Sequence, residues 1–61
     1  MYKLMYLINH GWIVERSEYW YRMIHQETGE IIENECFGLL INITYNAQKS
    51  NERWAVAHPT I

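Results

Sequence analysis

A single cysteine, Cys36, in a chain of 61 residues removes the staple on which many domains of this size rely. Small chains bury a smaller share of their unfolded surface than large ones. The apolar gain of one small core is nearly cancelled by the entropy of ordering the chain. No intrachain disulfide is possible here, which fits a reducing compartment. A structural metal would be the second route. Its candidate ligands are Cys36, His10, His25 and His58, and their spacing matches neither a C-x-x-C nor an H-x-x-x-H pattern, so neither metal nor cofactor is expected. The third route is association with a partner or a second copy. Composition points that way, because 49% of the residues are hydrophobic and nine are aromatic, a large load for one small core.

Five Lys and Arg stand against seven Glu, with no Asp and a formal net charge of −2. That balance disfavours a generally basic nucleic-acid binder. The longest apolar stretches, such as Leu39 to Ile43, are far too short to span a bilayer, and the N-terminus lacks the plan of a signal peptide. The expectation is a soluble, cytoplasmic, unprocessed chain beginning at Met1. Neither a repeat nor a linker is visible, so residues 1–61 read as one domain, with 59–61 an extended tail set by Pro59.

Most segments alternate with period two. Tyr2, Leu4, Tyr6 and Ile8 share one strand face, although Leu4, Leu7 and Ile8 also match helical spacing with Gly11 placed to end a helix. The tyrosines favour the strand. Trp12 to Arg16 reads as a second strand, and Tyr19 to His25, aromatic and β-branched, as a third. Gln26-Glu27-Thr28-Gly29 is a turn signal, and Glu30 to Glu33 returns as the partner strand. Residues 36–47 decide the fold class. As a helix they gather Cys36, Leu39, Leu40, Ile43 and Ala47 on one face; as a strand they alternate Leu39, Ile41, Ile43 and Tyr45 against polar neighbours. Asn, Thr and Tyr are mediocre helix residues, which favours the strand. A last strand covers 53–58. The expected fold is therefore mainly β, a curled antiparallel meander or barrel of five to six short strands that closes to hide its edges. The alternative is α+β, with a three-stranded sheet, one helix at about 35–48 and a final strand.

In the tract Tyr19-Trp20-Tyr21-Arg22, period two sends Tyr19 and Tyr21 to one side and Trp20 and Arg22 to the other. One thin sheet has a single face to bury against its own core, so rings on both sides imply a cover. Tyr and Trp often straddle core and rim for packing alone, but Tyr, Trp and Arg are also enriched in interface hot spots. The candidate contact residues are Trp12, Tyr19, Trp20, Tyr21, Arg22 and Trp54. Glu27, Glu30, Glu33 and Glu35 form an acidic alternative, able to meet a basic protein surface. The same aromatics allow single-stranded nucleic acid to stack. Against that, Glu15 and Glu18 flank the only nearby cations, Arg16 and Arg22. Catalysis is not expected: the sequence carries no nucleophile elbow or phosphate-cradling loop, and little chain is left to build a pocket.

The run from Leu7 through His10-Gly11-Trp12 to Arg16, followed by the hairpin through Thr28-Gly29-Glu30, resembles the opening half of small HicA-type mRNA interferase toxins. That family begins with a short helix, a Gly-Trp-type turn and a hairpin, so the resemblance implies a helix at residues 2–9. The family's catalytic histidine lies in a Gly-Ser-His sequence opening the second hairpin strand. Here Ser17-Glu18-Tyr19-Trp20 stands in its place, and no activity is carried over. The functional expectation is a small non-enzymatic interaction module with a protein partner or a second copy of itself. In size and style it resembles phage and mobile-element accessory proteins that inhibit or redirect a larger host protein.

Overall fold

In a computed structural model that describes residues 2–57, helix α1 (Tyr2–Asn9) leads into strands β1 (Trp12–Arg16), β2 (Tyr21–His25) and β3 (Ile31–Asn34). The long helix α2 (Phe37–Ala57) follows. The sheet is open, antiparallel and ordered β1-β2-β3, and both helices pack against it. The fold is thus a small α+β arrangement, about half helical. The mainly β expectation of a closed barrel is overturned, and so is the final strand of its α+β alternative, because residues 53–57 belong to α2. The expected tail at 59–61 lies outside the described residues.

Each correction has a local cause. At residues 2–9, Leu4 and Leu7 fall three apart and turn together toward the core, where Leu7 is fully buried. Gly11, at φ +96°, then lets the chain leave the helix, and the amides of His10 and Gly11 close onto the Leu7 and Ile8 carbonyls at 3.0 and 3.2 Å. Helix packing outweighs the strand preference of the tyrosines. Among the described residues of α2 the fully buried positions are Leu40 and Thr44, with Gln48 nearly so, a strict four-residue spacing. Phe37, Ile41 and Tyr45 pack beside them. Leu39 and Ile43, assigned above to the inward helical face, are 53% and 42% exposed. The helix has therefore turned by roughly a quarter of its circumference from the face that apolar residues alone would choose.

The sheet's inner face follows from the register. Trp12 pairs with His25, Val14 with Met23 and Arg16 with Tyr21, while Met23 pairs with Ile32. Trp12 and Met23 join Leu7 and Leu40 as the fully buried apolar core. Such a core is small, and one polar bond anchors it: the Trp12 indole Nε1 donates to Gln48 Oε1 at 2.9 Å in a buried setting.

Candidate docking surface on the open face of the sheet

With both helices on one side, residues of opposite parity along the strands face outward. The register sets Ile13 beside Ile24 and Ile24 beside Ile31, so three isoleucines form one row across three strands. Ile13 is 39% exposed and Ile31 53%. Two residues along, Glu15, Arg22 and Glu33 form the next row. Arg22 joins both carboxylates: its Nε and Nη2 each lie 2.9 Å from Glu33 Oε2, and its Nη1 lies 3.4 Å from Glu15 Oε1. All three groups are part-exposed, so the row adds little stability. On the same face, Arg22 Cζ sits 4.5 Å from the centre of the Trp20 ring. The outer face thus carries an aliphatic row, a charged row and one indole.

The expected contact residues distribute across the molecule. Trp20 and Arg22 lie on this open face. Trp12 is 1% exposed and has no surface to offer a partner. Tyr21 points inward, its ring 5.1 Å from that of Phe37. Tyr19, 80% exposed, stands in the turn closed by the Ser17 amide on the Trp20 carbonyl at 2.9 Å, and Trp54, 61% exposed, belongs to the last turns of α2. The glutamates separate too. Glu33 is in the charged row, Glu30 Oε1 accepts from Asn51 of α2 at 3.4 Å, and Glu27 and Glu35 are exposed in connections. Sequence reasoning passed over Ile13, Ile24 and Ile31. Alternation sets Ile13 opposite Trp12 and Ile24 opposite Met23 and His25 within their own strands, and only the register brings the three isoleucines into one row.

The opposite layer holds a polar cluster. Gln48 Oε1 receives the Trp12 indole, and its Nε2 donates to Glu52 Oε2 at 2.7 Å. The Tyr6 hydroxyl donates to the same oxygen at 2.5 Å. Lys49 Nζ lies 3.9 Å from Glu52 Oε1 and 4.4 Å from the Tyr6 ring centre, and His10 stacks on Tyr6 at 4.0 Å, its Nδ1–H donating to the Tyr6 carbonyl at 2.7 Å. The Tyr6 hydrogen bond, then that of Gln48, holds the Glu52 carboxyl below the usual glutamate range. A carboxyl so lowered contributes stability that is fully present above its unfolded pKa and is lost as pH falls through the folded one. The acid side of a thermal-stability profile is therefore expected to fall as Glu52 takes up its proton, and Glu52→Gln to flatten that fall while lowering stability at neutral pH. An identical acid limb in both proteins would remove Glu52 from the account.

Charge divides by layer. Residues 11–35 hold Arg16 and Arg22 against six glutamates, a net of −4, whereas the two helical segments hold Lys3, Lys49 and Arg53 against Glu52, a net of +2. Among the described residues no group of His, Cys, Asp or Glu is placed to hold a metal ion, and no helix is long and apolar enough to cross a membrane. Comparison with protein-family models, curated proteins and solved structures found no match in any of the three.

Proposed function

We propose that this chain is a non-enzymatic protein-interaction module that docks through the uncovered face of its sheet. The reading rests on the isoleucine row: Ile13, Ile24 and Ile31 lie side by side on the face away from the helices. Apolar surface left in water forgoes about 25 cal/mol per Å², a real sacrifice where the fully buried apolar core among the described residues is four side chains. Association recovers it. Beside the row stand Trp20 and Arg22, residue types enriched where binding energy concentrates. The nucleic-acid reading draws less support from this face, which offers one indole and a cation already shared between two carboxylates. A small module that redirects a larger protein in a reducing compartment is the role such a surface fits.

The test compares the tagged chain with Ile24→Lys and, on the opposite layer, Lys49→Ala, in capture from the producing cell with an untagged copy of the chain also present. Proteins held by the parent chain and by Lys49→Ala are expected to be lost from Ile24→Lys, with an unchanged circular dichroism spectrum. Retention of the same proteins by Ile24→Lys overturns the reading.

A further inference from the structure

Resting on that reading, we infer that the occupant of the open face is a second copy of this chain, related by a two-fold axis that runs along the isoleucine row. For a second copy, the arrangement of the two rows selects the axis. Two sheets packed face to face about 10 Å apart can be related by an axis along the strands or an axis across them. An axis along β2 sets Glu15 of one copy over Glu33 of the other, twice, and Arg22 over Arg22. Like charges then face each other in a closing interface. An axis across the strands sets each isoleucine over its own counterpart and sends the two charged rows to opposite rims. Since the charged row is two residues from the isoleucine row, the two charged rows stand roughly 13 Å apart along the strands. That exceeds the screening length of about 8 Å at physiological salt. The same rotation carries Trp20 of each copy toward the other's 26–29 turn, extending the contact beyond the strands.

Area favours this occupant. Three strands about 4.8 Å apart, followed from Trp20 to the Gln26 turn, make a face roughly 14 Å by 23 Å. With side-chain relief, two such faces hide on the order of 1,000 Å², the threshold for a specific interface. A reversible dimer follows, and each copy's charge of −2 makes added salt strengthen it. A basic partner would instead be released by salt.

Sedimentation equilibrium of the full chain is expected to give a monomer–dimer transition in the micromolar range that tightens as salt is raised. Ile24→Arg should weaken it by at least a hundredfold with an unchanged circular dichroism spectrum. Ile31→Lys, at a more exposed position, serves the same purpose if Ile24→Arg does not fold. A dimer that survives a folded variant overturns the inference. The axis is tested in a Cys36→Ser background with a short bis-maleimide: Ile13→Cys and Ile31→Cys should each cross-link efficiently to a second copy of the same variant. Preferential linkage in a mixture of the two variants overturns the proposed axis. A parent chain that stays monomeric at every concentration rules out the second copy, and the docking-face reading then stands or falls on the capture comparison alone.

Discussion

Trp12→Ala is expected to remove most of the chain's stability at room temperature. Truncating a buried tryptophan costs about 3–5 kcal/mol. At about 0.05–0.15 kcal/mol per residue, a chain of 61 residues has only ~3–9 kcal/mol in total. Trp12 contributes in three ways that Ala cannot replace. It fills the centre of a core with three other fully buried apolar side chains among the described residues, it meets His25 edge to face at 5.0 Å, and its indole N–H occupies Gln48 Oε1. The last contact ties the core to the polar cluster, because the same amide donates to Glu52. Trp12→Phe separates the contributions. It keeps much of the apolar volume but leaves the Gln48 oxygen without its buried donor, at a cost of about 1–3 kcal/mol, and is expected to fold with a lowered melting temperature. Trp20→Ala should stay within about 1 kcal/mol of the parent, since its ring lies on the outer face over Arg22. Circular dichroism melts of the three variants check the order. A Trp12→Ala no less stable than Trp20→Ala, or a Trp20→Ala that collapses, would show that the core has been assigned to the wrong indole.

Those two tryptophans mark the limit of what alternation could say about this chain. Period two sorts residues onto two faces of a strand, but it does not say which face the rest of the chain covers. Trp12 and Trp20 looked alike as contact residues until two helices, both on one side, separated them. The three strands lie close to where the alternation put them, with Trp12–Arg16 matching and β2 and β3 shifted only at their ends. The favoured strand readings fail at both helices, for different reasons. At α1 the helical spacing of Leu4, Leu7 and Ile8 competes with the strand preference of the tyrosines, and the burial of Leu7 in the core decides for the helix. At α2 the buried stripe runs through Thr44 and Gln48. An apolar face drawn from Leu39 and Ile43 points away from the core, and the modest helix propensity of Asn42, Thr44, Tyr45 and Asn46 is what favours a strand there. Gln48 is inside because Trp12 and Glu52 together satisfy its amide, a long-range match that no local window contains. The isoleucine row needed more still. Ile13, Ile24 and Ile31 become neighbours only when the 17–20 and 26–30 connections fix the register on both sides of β2.

The second large effect is expected at the junction of α1 and β1. Gly11→Ala should lower stability by about 2–3 kcal/mol, whereas Gly29→Ala should cost about 1 kcal/mol. Both glycines have positive φ, +96° and +77°, and each substitution brings an L side chain into a conformation it rarely adopts. What differs is the space around them. A methyl group at Gly29 would meet nothing within 4 Å, while at Gly11 it would lie 3.3 Å from both Cε1 and Nε2 of His25. That ring has little freedom to retreat: its Nδ1 accepts the amides of Glu27 and Thr28 at 3.2 and 3.3 Å, and Trp12 packs against it. Gly11 also receives the Gln26 amide on its carbonyl at 2.9 Å, so a shift of its backbone loosens the turn at the end of β2. For a domain this small each kcal/mol moves the melting temperature by about 4–8 °C. Gly11→Ala should therefore melt roughly 10–20 °C below the parent, and Gly29→Ala only about 5 °C below. Equal losses would mean that His25 yields and backbone conformation alone sets the cost. A neutral Gly11→Ala would contradict the positive φ itself, and with it the termination of α1 at this glycine.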